Sequence, residues 1–264
     1  MSEQSTRVHD DGQSARRAAD AAAREGLGLH RAAYPAKQAP PLNPSARIIG
    51  AVVLALGAVG VLALFLSGQS VPAVMLAVPV GVATFVYVMS WPRPTGYEGA
   101  RLDLFEHGLT CAMRGELHVV RYDRTSVLQD IVRHTQSGIT SYTYTLTDTG
   151  GRRFHLTGMF TAPDEWGPAI QQGVTTAQLP RAVAALRAGE RLTFGDIWLT
   201  AREVGSGQKG VPWAQVQDVK IHDGVVRIKV AGRWRALTTA LVRWTPNFFV
   251  FLTLAQRLRE TEER

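Results

Sequence analysis

The spacing of apolar residues divides the chain into three regimes. Residues 1–45 are polar and alanine-rich, with Pro35, Pro40, Pro41 and Pro44 near their end. Residues 48–92 contain no Asp, Glu, Lys, Arg or His, and their apolar positions are continuous rather than periodic. Beyond Pro94 the apolar residues alternate in short runs broken every six to ten positions by turn residues, the mark of antiparallel β structure.

The uncharged block holds two runs, 48–66 and 71–91, joined by Ser67-Gly68-Gln69-Ser70. At a rise of about 1.5 Å per residue each helix reaches about 30 Å, the thickness of a hydrocarbon core. Each run carries about ten Val, Leu, Ile and Phe residues at roughly −0.3 to −0.6 kcal/mol apiece, with no charge opposing them. A transmembrane helical hairpin over 46–92 is therefore expected. The short link brings both flanks to one side. Arg47 and Arg93 flank the block while the link is uncharged, so the positive-inside bias puts both termini in the cytoplasm. Tyr87 and Trp91 fall at the level of an interfacial aromatic belt. The long polar lead argues against a cleaved signal peptide. In the second helix Ala73, Ala77 and Gly81 recur every four residues, a small-residue ridge suited either to packing within the hairpin or to self-association.

The first 45 residues read as a mostly disordered tail ending in a stiff proline-rich tether, although 14–24 has the composition of a short helix with an alanine face. The region after the hairpin predicts strands at 100–106, 109–114, 117–122, 127–134, 142–147 and 153–157, then a helix over 162–188. The order then restarts. Arg191-Leu192-Thr193-Phe194 echoes Arg101-Leu102-Asp103-Leu104 ninety residues on, and Gln217-Asp218-Val219 echoes Gln129-Asp130-Ile131. Further strands at 225–230 and 234–239 lead to a terminal helix from about 246, with Asn247 as its N-cap. The expected architecture is a membrane-anchored α+β chain with modules at 97–189 and 190–264.

These strands, with the run Val211-Pro212-Trp213-x-x-Val216-x-x-Val219, a hairpin and a closing helix, resemble bacterial pleckstrin-homology-like domains. The resemblance covers about 99–260. It implies membrane proteins of high-GC Gram-positive bacteria in which a transmembrane hairpin precedes tandem modules, each an antiparallel sandwich or barrel capped by a helix. It also implies a binding or scaffolding role and brings no catalytic residues, since a fold alone does not carry function.

Charge sharpens the picture in one place. The chain carries +7, and nearly all its cations are arginine, in keeping with a GC-rich coding genome and a bacterial plasma membrane. Asp223-Gly224 is a two-residue hairpin signal. It sets Lys220 opposite Arg227 and Asp218 opposite Lys229, with Val219, Ile221, Val226 and Ile228 on the other face. A turn at Ala231–Arg233 would place Trp234 in the core and Arg235 beside Lys229. Lys220, Arg227, Lys229 and Arg235 then form one basic patch. It is either a solvated outer face or a seat for anionic lipid headgroups or an acidic protein. Nucleic acid is disfavoured because exposed aromatics do not interleave the cations.

No set of catalytic, cofactor-binding or metal-ligating residues emerges. Gly205, Gly207 and Gly210 fit a bare G-x-G-x-x-G, but a strand follows where a dinucleotide site needs a helix. The histidines are scattered without partners at ligand spacing. Asp103 and Asp130 have no evident common site, and the single cysteine, Cys111, falls on a strand as a small core residue. The expectation is a non-enzymatic, membrane-tethered binding or scaffold protein. The alternative is a structural subunit that self-associates through its helices and modules.

Overall fold

Among the described residues fourteen strands build four antiparallel sheets in which neighbours in sequence are neighbours in space. The structure, a computed structural model, describes residues 14–37, 44–68, 70–89, 99–232 and 234–262. These form two units. One comprises residues up to Lys37 together with Gly99–Arg264, and the other is Gln38–Glu98.

The larger unit begins earlier in the chain than the sequence suggests. Residues 14–24 form a helix, α1, whose Ala18, Ala21 and Ala22 are buried. Strand β1 (His30–Pro35) follows and pairs antiparallel with β2 (Arg101–Phe105), Pro35 lying opposite Arg101. The expected disordered tail is thus corrected over 14–37. Leu27, fully buried, packs with Ala22 and Phe105, and Gly108 leaves room for it where any Cβ would meet the Val120 carbonyl. Sequence alternation missed β1 because Ala32, Ala33 and Pro35 carry no β signal and its partner lies beyond the uncharged block.

Strands β3 (Gly108–Met113) and β4 (Glu116–Arg121) complete the first sheet, in the order β1-β2-β3-β4. A second sheet contains β5 (Val127–Arg133), β6 (Thr140–Thr147) and β7 (Arg153–Thr157). Helix α4 (Pro163–Arg187) closes this module, burying Trp166, Ile170 and Val174. Each such side chain taken fully from water contributes about 1.5–3 kcal/mol.

The sequence of elements then repeats. Strands β8 (Leu192–Phe194), β9 (Ile197–Leu199), β10 (Glu203–Ser206) and β11 (Lys209–Pro212) form a four-stranded sheet. Strands β12 (Val216–His222), β13 (Val225–Val230) and β14 (Thr238–Leu241) form a three-stranded one. Helix α5 (Phe248–Glu262) closes them with Phe248, Phe251, Leu254 and Ala255 in the core. Four strands, three strands and a helix therefore occur twice.

The two modules share a helix. The first half of α4 serves module one, whereas Leu179, Ala182, Val183 and Leu186 from its second half pack into the core around Trp213 and Phe251. Asn247 locks the same junction. Its backbone N–H donates to the Val127 carbonyl at 2.9 Å and its Oδ1 accepts from the Val127 N–H at 2.8 Å. Its Nδ2 donates to Gln178 Oε1 at 2.9 Å and to the Thr125 carbonyl at 3.3 Å. The side chain expected to cap α5 instead clamps module two to module one.

In the smaller unit, α2 (Pro44–Leu66) and α3 (Ser70–Met89) form the helical pair. Residues 48–66 within α2 have a mean hydropathy of 2.8 and are long and apolar enough to cross a membrane; the apolar part of α3 described as such is the shorter Val74–Tyr87. Close packing uses glycines of α2: a Cβ on Gly50 would strike the Tyr87 ring and one on Gly57 the Val80 side chain. The ridge on α3 does not face this contact, since Ala77 is exposed and a Cβ on Gly81 would meet open space. The Ala73 side chain, Trp91 and Arg93 lie outside the described residues.

Candidate functional site

The outer face of β12–β13 is where the sequence placed a basic patch, and the ladder keeps the expected register. Asp223 and Gly224 adopt φ of 49° and 70°, the left-handed pair that a tight two-residue turn demands. Lys220 lies opposite Arg227, and Asp218 opposite Lys229. Val226, Ile228 and Val230 point inward and are buried, so Arg227 and Lys229 point outward and are exposed. Asp218 pairs with Lys220 at 3.1 Å and with Arg259 at 3.4 Å. Among the described residues no carboxylate reaches Arg227 or Lys229.

Two expectations at this patch are corrected. Trp234 is not a core residue: it is 89% exposed. The strand after β13 begins at Thr238, opposite Ile228, so a loop seven positions long, and not a tight turn, separates the two strands. Arg235 therefore does not stand beside Lys229 in the ladder. It lies in that loop, its guanidinium 4.9 Å from the centre of the Trp234 ring. The register is the reason: Thr238 and Ala240 stand opposite Ile228 and Val226, which leaves Trp234 outside the ladder. An exposed aromatic does accompany the cations, which sequence reasoning missed; the Trp-Arg pair was the signal.

Among the described residues the buried carboxylates, Asp103 and Asp148, lie in two clusters elsewhere. His118, buried, donates from Nδ1 to Asp148 Oδ2 at 2.9 Å and stacks on Phe154 at 4.3 Å between ring centres. Arg152 bonds Asp148 through its backbone N–H at 2.8 Å and approaches Glu116 at 3.2 Å. Burial raises the Asp148 carboxyl, but the His118 hydrogen bond, the Arg152 backbone N–H and the Arg152 charge together hold it below the usual carboxylate range. Buried Asp103 is bound by Arg101 at 2.8 Å and by His30 at 3.0 Å, tying β1 to β2. Asp130 sits in another sheet opposite Thr143, and the two aspartates share no site. The two histidine–aspartate partners are 30 and 73 residues apart, so only the fold reveals them.

The glycine motif has a packing cause. Gly205 and Gly210 face each other across β10–β11, and a Cβ on either would overlap the Trp198 ring. Trp198 Nε1 donates to the Gly207 carbonyl at 2.8 Å, and the Arg191 guanidinium lies 3.5 Å over the ring centre. The glycines are the floor beneath an indole. Trp213 is buried as expected, with Nε1 donating to the Thr200 carbonyl. Cys111 is fully buried, and burial pushes its thiol up to about 12. A cleft of about 430 Å³ lies between the modules, lined by Gln178, Arg181, Glu190, Phe194 and Asn247 among others. Among the described residues no three of His, Cys, Asp and Glu converge as a metal site requires.

Fold and face together define a mixed α+β protein of tandem antiparallel modules with an apolar helical insertion and a basic outer sheet. Residues 1–264 match the family described as "Family of unknown function (DUF6585)", and the chain belongs to it. No curated protein and no solved structure matches the chain.

Proposed function

We propose that this protein is a non-enzymatic binding or scaffold protein, anchored in the bacterial plasma membrane by a two-helix hairpin. Its two pleckstrin-homology-like modules work at the cytoplasmic face. The observation that carries the reading is topological. The apolar helices lie between β1 and β2, and these strands pair within one folded unit, the Ala36 N–H donating to the Ala100 carbonyl at 2.9 Å. A chain that leaves and re-enters one sheet crosses a bilayer an even number of times. If 48–66 spans, α3 must return. The exposed α2 surface, 0% buried over its apolar stretch, supports a lipid solvent. The repeated order of four strands, three strands and a helix supports the assignment of the modules.

Membrane fractionation and terminal reporters test this. The full-length protein is expected in the pellet after an alkaline wash, with reporters at both ends cytoplasmic. Recovery in the wash, or reporters in opposite compartments, would overturn it.

A second reading, a structural subunit assembled through its helices, is favoured by one feature: Ala77 and Gly81 are left unpartnered by α2. Small residues let helices approach closely in lipid. Mass measurement in detergent separates the two, because a strict monomer refutes self-assembly.

A further inference from the structure

We infer that the outer face of β12–β13, together with the Trp234 loop, docks on the anionic leaflet of the membrane that holds the hairpin. The inference rests on the membrane-anchored reading and names the partner of that face.

Three observations carry it. Lys220 and Arg227 are directly opposed like charges on an exposed ladder, an arrangement that is destabilising unless an external anion offsets it. Asp218 relieves this only in part, being shared between Lys220 and Arg259. Next, the loop leaving the Lys229 end of β13 presents Trp234 at 89% exposure beneath the Arg235 guanidinium. A water-exposed indole paired with a cation suits the headgroup zone, where tryptophan is enriched and each cation gains about 1 kcal/mol. Finally, the cations lie along strands and not around a cavity; the one cleft described above is lined by other residues. A line of charge on a flat sheet matches a charged plane better than a single soluble anion.

Chain length makes the contact reachable. Only residues 38–43 and 90–98 separate the folded unit from the described helices, and such links extend at most about 3.3–3.6 Å per residue. On the membrane-anchored reading, links of that length bound how far the folded unit can stray from the leaflet.

The test uses full-length protein in lipid nanodiscs of zwitterionic lipid alone or with about one-third anionic lipid, the bilayers carrying brominated chains that quench indoles at contact. The Trp234 signal is taken as the difference between wild type and Trp234→Phe. Quenching of that component is expected in anionic discs, lost in zwitterionic discs and weakened by salt. A Lys220→Gln/Arg227→Gln/Lys229→Gln variant should lower the docked fraction roughly five-fold per cation, on the order of 100-fold in all. Equal quenching in both lipids, or indifference to the triple substitution, overturns the inference while leaving the anchor intact. A Trp234 response to inorganic phosphate or to an acidic peptide in zwitterionic discs also overturns it, in favour of a soluble anion or a protein. Failure of the protein to incorporate into discs refutes the anchor, and the docking falls with it.

Discussion

Replacing Asn247 by alanine tests how the two modules are held together. The side chain makes three hydrogen bonds across the junction, to the Val127 N–H, Gln178 Oε1 and the Thr125 carbonyl. Each is worth about 1 kcal/mol net. The Val127 N–H, left without its side-chain acceptor at a half-buried site, adds a desolvation cost of up to about 1 kcal/mol. Asn247 also sits at φ 48°, a left-handed conformation that alanine tolerates less well by about 1 kcal/mol. The expected loss is therefore about 3–5 kcal/mol, against about a tenth of that for an ordinary surface change. Urea unfolding followed by tryptophan fluorescence and by circular dichroism measures it, with the protein held in one detergent throughout. Wild type should unfold in one transition by both probes, because α4 and Asn247 join the modules. Asn247→Ala should lower the midpoint and separate the probes. Asn247→Gly, which removes the side chain and not the backbone preference, should recover about 1 kcal/mol of the loss. A shift below about 0.5 kcal/mol with coincident probes would refute the clamp.

Thr110 is fully buried and its Oγ1 finds no partner among the described residues. Thr110→Val keeps the shape and removes the orphan hydroxyl, so a gain of about 1 kcal/mol is expected as a higher urea midpoint. Cys111 should resist a thiol reagent in the native protein at pH 8 and react as one thiol per chain after denaturation; rapid native labelling would contradict its burial. The Asp148 carboxyl is held below its unfolded value, so its stabilising effect is complete above the ordinary carboxylate range near pH 4 and is lost as pH falls through the lower folded value. Urea midpoints measured from pH 6 down to pH 3 should fall less steeply for Asp148→Asn than for wild type, from a lower starting point.

What the sequence disclosed followed from local periodicity. The β12–β13 register was legible because Asp223-Gly224 fixes it, and β7 and β13 lie where alternation puts them. Features that depend on distant pairing were hidden. Strand β1 has a partner more than sixty residues away, and nothing local marks Ala32 or Ala33 as extended. Trp234 misled because an indole after a strand reads as core, whereas a longer loop moved the third strand four residues on. The His118–Asp148 pair and the Trp198 floor needed the fold itself, for neither partner is signalled by its neighbours in the chain.

The β1–β2 pairing also dictates an order of events during synthesis. The first strand leaves the ribosome well before its partner, and everything between them is the apolar hairpin. Sheet one therefore stays open until both helices have been synthesised, and its closure follows theirs in time. Expression from residue 97 onward would omit a strand and yield an exposed sheet edge, whereas joining Ala36 to Ala100 through a few turn residues would keep every strand and dispense with the apolar insertion.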